Sequence, residues 1–414
     1  MSSRLRRTAA SLLAAATFVC AAASCTNTEP PRTPGAEPPG NTVAQPPGDT
    51  VAEPPGDTGQ ESSVPVPAVS APPSVTVETL VDGLDHPWDV VRAPDGTLLT
   101  GERGGRFVVR RPDGQVTSLE ADLSDLYAVG ETGLMGLALS DDFATDRTFY
   151  SCQGHRDPDD VRVLAWTVDP DWTTATRVRT VVSGMPVAAG GRHAGCRILA
   201  HPDGSLYVGT GDSARPTVPQ DRASLGGKVL HLNPDGTPAV GNPDPGSPIY
   251  TLGHRNVQGL ALQSGTGRIY AVEQGTRRDD EVNLLEPGGN YGYRPDREPG
   301  RYDESVPMTD PDRVPGAIGA VWSSGSPTIA TPGLAFVTGD AWGPWSGALV
   351  VSSQQAARLI LLKLSEDGRS VVDSATLLED TYGRLRSLTP LPDGSLLVTT
   401  DNGDDDRILR VIPN

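Results

Sequence analysis

Between Thr251 and Tyr293 the chain concentrates residues able to do chemistry. His254, Arg255 and Asn256 follow Gly253, and Glu273-Gln274-Gly275-Thr276 comes later. Asp279-Asp280-Glu281 then precedes Gly288, Gly289 and Gly292, which surround Tyr291. A fixed cation, amide donors, carboxylates and backbone carbonyls made approachable by glycine suit an anionic ligand and a hard cation such as Ca²⁺. Taken singly, each of these residues reads as the polar rim of a loop. Their concentration in one stretch argues for a site.

His193 lies upstream, in Gly191-Arg192-His193-Ala194-Gly195-Cys196. Such a residue can be neutral near pH 7 and accept a proton. Alone, it is more often structural than catalytic. No other histidine lies within about three to five residues of it, which disfavours zinc. The chain has no G-x-S-x-G elbow, Walker loop or dinucleotide fingerprint. A serine hydrolase, a nucleotide enzyme or an NAD enzyme therefore lacks support.

The elements that must carry these residues are strands. Leu260-Ala261-Leu262 and Arg268 to Val272 are short apolar runs split by Ser264-Gly265-Thr266-Gly267, which predicts a strand pair. The same pattern recurs from Trp88, from Gly133, from Arg197, from Pro332 and from Leu388, usually with an Asp-Gly turn between strands. Six copies at about fifty to seventy residues, without a convincing amphipathic helix between them, predict an all-β, six-bladed β-propeller. The stretch Ser74 to Leu80 is expected to pair with Arg407 to Val411, so that an N-terminal strand closes the last blade. A β-sandwich array is the poorer alternative. Ligand sites in propellers sit where loops converge over the central channel.

Acidic residues outnumber basic ones 52 to 34, an excess of 18 negative charges. That balance argues against nucleic acid or an anionic lipid surface as partner. Residues 1–25 read as an export signal: Arg4, Arg6 and Arg7, an apolar run, then Ala22-Ala23-Ser24-Cys25. Small residues before a cysteine resemble a bacterial lipobox, with Cys25 lipidated. Ordinary cleavage near Ala23 is the alternative. The expectation is an exported protein on the outer face of a bacterial membrane, anchored only by lipid. Residues 26–74 are proline-rich and repeat EPPGNTVA, QPPGDTVA, EPPGDTG, which predicts a disordered or extended tether reaching ~150 Å. The folded head is then 75–414. With Cys20 removed and Cys25 lipidated, Cys152 and Cys196 remain, and in an exported protein they are expected to form a disulfide.

The motifs DHPWDV, GETGLMGLAL, GRHAGCRI, LGHRNVQGLA, EQGTRRDDEVNL, GGNYGY, SPTIATPGLAF and GRLRSL span about residues 77–412. Together they resemble the soluble pyrroloquinoline-quinone-dependent sugar dehydrogenases, the glucose/sorbosone dehydrogenase family that includes aldose sugar dehydrogenases. The resemblance implies calcium-assisted oxidation of an aldose at C1 to its lactone by hydride transfer to the quinone. It implies His193 as general base and Arg255 as a catalytic cation. Arg255, Asn256, Gln274, Thr328, Gln355, Arg384 and Arg386 fall at cofactor positions, and Glu131 and Arg192 at substrate positions. Gly275 and Thr276 fall at carbonyl ligands of the cofactor's Ca²⁺, Glu281 and Tyr291 at ligands of a structural Ca²⁺. Gln355 stands where the family usually has a basic residue, Thr276 replaces a frequent proline, and Arg192 replaces an acid found in some members. The sugar and the electron acceptor are not indicated. The competing reading is a propeller without redox function that binds a glycan or protein; a calcium lactonase is a weaker third.

Overall fold

The computed structural model describes residues 70–403 and 405–414. The expectations for residues 1–25, Cys25 included, and for all of the 26–74 tether except residues 70–74 fall outside the described residues. From Val75 onward, β-branched and small apolar runs broken by Asp-Gly turns fold into six four-stranded antiparallel sheets. Blades 1 to 5 span 87–119, 134–185, 195–252, 257–323 and 334–377, and blade 6 combines 385–413 with 75–84. The first strand of each blade contacts the first strand of the next, and blade 6 returns to blade 1, which closes the ring. This is the expected six-bladed propeller.

Closure has the expected origin. The strand Val75–Leu84 pairs antiparallel with Asp406–Pro413, from Val75 opposite Pro413 to Leu84 opposite Asp406. Joining these two strands in one sheet covers the edge of Asp406–Pro413 and ties the first strand to the last blade. The preceding residues are fixed too: the Trp345 indole donates to the Ala71 carbonyl at 2.8 Å, and the Asn414 amide donates to the Ser74 carbonyl at 3.0 Å.

Blades cohere because both faces of each sheet are apolar. One buried cluster fills each of the six blade interfaces, as Phe107, Leu134, Phe149 and Trp166 do between blades 1 and 2. Tyr293, Val306 and Met308 form a further cluster within the long segment 285–321, which joins the last two strands of blade 4. Cys152 of blade 2 and Cys196 of blade 3 form the expected disulfide, with Cα atoms 6.0 Å apart and a separation of 44 positions in sequence. A loop of that length stabilises the fold by about 4 kcal/mol in the chain-entropy account. Among the described residues, no helix is long and apolar enough to cross a membrane.

Candidate active site

Three histidine–carboxylate pairs, two of them buried and the His86 pair partly exposed, ring one end of the channel. Each histidine lies just before the innermost strand of a blade, and each acid ends or closely follows a second strand. His86 Nδ1 lies 2.7 Å from Asp401, His193 Nδ1 2.8 Å from Asp212, and His254 Nδ1 2.8 Å from Glu273. The His254 pair is structural: its Nε2 is taken by the Thr251 hydroxyl at 2.9 Å, and Tyr291 stacks on its ring at 4.6 Å.

His193 is built differently. Its φ of +51° is one that side-chain-bearing residues seldom adopt, at a cost of about 1–3 kcal/mol. Its amide donates to Glu131 Oε2 at 3.1 Å and its carbonyl accepts the Ser213 amide at 3.2 Å, which hold it there. Gly211 is required beside it, because a Cβ at that position would lie 1.8 Å from the His193 carbonyl oxygen. Asp212 in turn accepts the Ala214 amide at 2.8 Å and the Tyr302 hydroxyl at 2.6 Å. Tyr293 donates to the Tyr302 hydroxyl at 2.9 Å. Burial, and then the charge of Asp212, raise the Tyr302 pKa, so the phenol stays a donor. Arg192, half-exposed, pairs with Glu304 and places Nη2 3.3 Å from His193 Nε2.

A cavity of about 250 Å³ adjoins this cluster. Of the expected residues, Glu131, Gln274, Gln355, Arg384 and Arg386 line it, together with His86, Trp88, Arg103 and Asp401. Asn256 sits directly behind, its Oδ1 accepting the Gly195 amide at 3.0 Å and its Nδ2 3.5 Å from Glu131. Arg255, only 4% exposed, donates to the Gln274 carbonyl at 2.8 Å, while its own amide donates to Glu273 at 2.7 Å. Arg386 donates to Asp401 at 2.8 Å and stacks over Trp88, whose ring also lies 4.5 Å from the Arg197 guanidinium. Arg386 Nε and Nη1 and Arg255 Nε are buried without a partner among the described residues. Donors left in that state are costly unless a ligand accepts them.

Asp280 fixes the loop that carries Gly275 and Thr276. Its carboxylate accepts the amides of Gly275, Ile329 and Ala330 at 2.8, 2.6 and 3.0 Å. Thr328 joins the same arrangement through its amide, which donates to the Arg277 carbonyl at 3.2 Å. A Cβ on Gly275 would lie 2.3 Å from the Arg278 carbonyl oxygen, so only glycine fits. The carbonyls of Gly275 and Thr276 accept no hydrogen bond from the described residues. Glu281 and Tyr291 do not line the cavity. Glu281 lies opposite Glu273 in the sheet and accepts the Thr309 hydroxyl at 3.3 Å. Burial, then the Glu273 charge, push its carboxyl up to about 8. The Tyr291 hydroxyl already donates to the Leu284 carbonyl at 2.5 Å, leaving only main-chain oxygen for a cation.

Sequence reasoning missed Asp212, Tyr302, Asp401 and Arg103. A usable signal existed for two of them. Acids recur at the ends of second strands: Glu102, Asp212, Glu273 and Asp401. Tyr302 sits in the irregular segment 285–321 and has no periodic signal.

Comparison with known proteins agrees with this geometry. The profile of the Glucose / Sorbosone dehydrogenase family matches residues 84–410. The Escherichia coli (strain K12) aldose sugar dehydrogenase YliI is 30% identical over 357 residues, covering 83% of this chain and 94% of the relative. The structure of the PQQ-bound aldose sugar dehydrogenase from Streptomyces coelicolor is 34% identical, with a TM-score of 0.71 over 83% of this chain and 99% of that one. A putative oxidoreductase (glucose dehydrogenase) from Thermus thermophilus is 35% identical, with a TM-score of 0.71 over 82% of this chain and 100% of that one. The match runs through all six blades and across nearly the whole of each relative, so the chain belongs to the glucose/sorbosone dehydrogenase family.

Proposed function

We propose that this oxidoreductase oxidises an aldose at C1 to the lactone, using pyrroloquinoline quinone with Ca²⁺ beside it. The observation that carries the reading is the His193–Asp212 pair joined through Glu131 to a cavity into whose wall Arg386 brings two buried nitrogens with no partner among the described residues. A planar molecule with several carboxylates fits those donors: Arg384 and Arg386 on one wall, Gln274 and the exposed Gln355 on others, with Asn256, Thr328 and Arg255 behind. The free carbonyls of Gly275 and Thr276 suit a hard cation. Glu281 with the Tyr291 main chain would hold a second, structural ion, which would offset the cost of a buried carboxylate facing Glu273.

When bound, the quinone supplies the two-electron oxidant that accepts hydride from the sugar carbon. Asp212, an acceptor only, fixes the proton of His193 on Nδ1 and leaves the Nε2 lone pair as base. Nε2 takes the C1 hydroxyl proton, and Asp212 stabilises the resulting imidazolium. Arg192 stands 3.3 Å from Nε2, so the incoming sugar displaces this exposed side chain. Arg255 contributes a fixed positive charge in a buried setting, where it favours charge developing on an acceptor oxygen. Glu131 offers a carboxylate to a sugar hydroxyl from the cavity wall.

The test is to load the purified head with cofactor and Ca²⁺, follow dye reduction with a panel of aldoses, and identify the product. Lactone formed only with the quinone present is expected. Sugar binding without turnover would instead favour the glycan-binding reading. Export with lipid on Cys25 completes the proposal; it predicts labelled fatty acid incorporation that Cys25→Ser abolishes.

A further inference from the structure

Arg103 is the cavity-lining arginine that neither the sequence motifs nor the mechanism uses. It follows Glu102 at the end of the second strand of blade 1. Gln274 follows Glu273 at the matching place in blade 4, and both line the cavity, from blades on opposite sides of the ring. The main chain of Arg103 is fixed: its amide donates to the His86 carbonyl at 3.1 Å, and its own carbonyl accepts the Leu134 amide at 3.0 Å. Its guanidinium, by contrast, makes no hydrogen bond or ion pair with any described residue. The neighbouring Arg106 is paired, with Glu102. The charges around the cavity are also arranged unevenly. Arg103, Arg384 and Arg386 come from the adjoining blades 1 and 6, whereas Glu131 stands towards blade 2 and His193. Asp401 already answers Arg386. A part-buried cation that forms no ion pair with a described residue is poised for an anion that arrives with a ligand.

We propose that Arg103 is a third arm of the cofactor's anion-binding wall, pairing with a carboxylate of the quinone beside those held by Arg384 and Arg386. The proposal rests on the cofactor reading above. It also gives the asymmetry a purpose: the carboxylate-rich edge turns towards blades 6 and 1, which leaves the other side of the cavity for the sugar next to Glu131 and His193.

The experiment is an absorbance titration of pyrroloquinoline quinone onto Ca²⁺-loaded wild type, Arg103→Gln, Arg103→Lys and the control Arg106→Gln, without sugar. Arg103→Gln is expected to raise Kd by about tenfold or more, the scale of one charge-assisted contact. Arg103→Lys should recover part of the loss, and Arg106→Gln should bind like wild type. The trimethyl ester of the cofactor, which lacks the charges, should bind wild type and Arg103→Gln alike. Equal affinity of wild type and Arg103→Gln for the free acid would overturn the inference alone, as would equal weakening by Arg106→Gln. No binding by wild type would overturn the cofactor reading and this inference with it.

Discussion

His193 owes its chemical setting to residues far away in sequence. Tyr302 lies 109 positions later and Glu131 62 positions earlier, yet both bond within its immediate surroundings. The motif around the histidine is readable because its glycines are requirements of the backbone, as at Gly191, where φ is +72° and a Cβ would lie 1.7 Å from the Val129 carbonyl oxygen. Asp212 and Tyr302 are less readable, because nothing local distinguishes a strand-end acid or a loop tyrosine from a solvated one. Asp212→Asn tests the pair. An amide can donate to Nδ1, which would put the imidazole proton on Nε2 and remove the base. Turnover at saturating cofactor is expected to fall by about 10²–10⁴-fold, with cofactor affinity unchanged. Loss of less than about threefold would show that Asp212 only fills space.

At the scale of the element, the recurring Asp-Gly turn does most of the work of defining blades. Asp95 accepts the Thr97 amide at 2.8 Å, Asp203 that of Ser205 at 2.9 Å, Asp235 that of Thr237 at 2.9 Å, and Asp393 that of Ser395 at 3.0 Å. The glycine that follows the aspartate has positive φ, +86° at Gly204 and +90° at Gly236. This side-chain-to-backbone pattern is why the turns, and with them the strands, could be read from sequence. The irregular segment 285–321 carries no such code, and its placement over the site could not be read. The same turns predict acid sensitivity. Partial burial raises the Asp203 carboxyl, but bonds from Ser205 and His201 outweigh it and bring it down to about 2. Asp95, Asp235 and Asp393 are lowered as well. Folded values below the unfolded ones mean that these groups contribute stability above about pH 4, lost as pH falls through the folded values. The denaturation midpoint is therefore expected to drop between about pH 4 and pH 2, and Asp203→Asn should flatten that drop. A profile identical to wild type in that variant would remove Asp203 from the account.

For the whole molecule, closure is the controlling fact. Blade 6 is complete only when Val75–Leu84 lies against Asp406–Pro413, and blade 6 also supplies Arg384, Arg386 and Asp401. A chain beginning at residue 85 would expose the edge of Asp406–Pro413 and uncover Leu397 and Ile408, which pack with Val81 and Leu84. It is expected to aggregate or to melt well below the intact head by calorimetry. An unchanged melting transition would mean that the ring closes by other contacts. The proposal that joins all three scales is that one cavity holds the quinone while His193 deprotonates the sugar. Anaerobic stopped-flow mixing of an aldose with cofactor-loaded wild type and His193→Gln tests it most directly. The account predicts that both proteins retain the cofactor and that its spectrum changes to the reduced form about 10²-fold or more slowly in the variant. Equal rates in the two proteins, or no cofactor held by wild type, would contradict it.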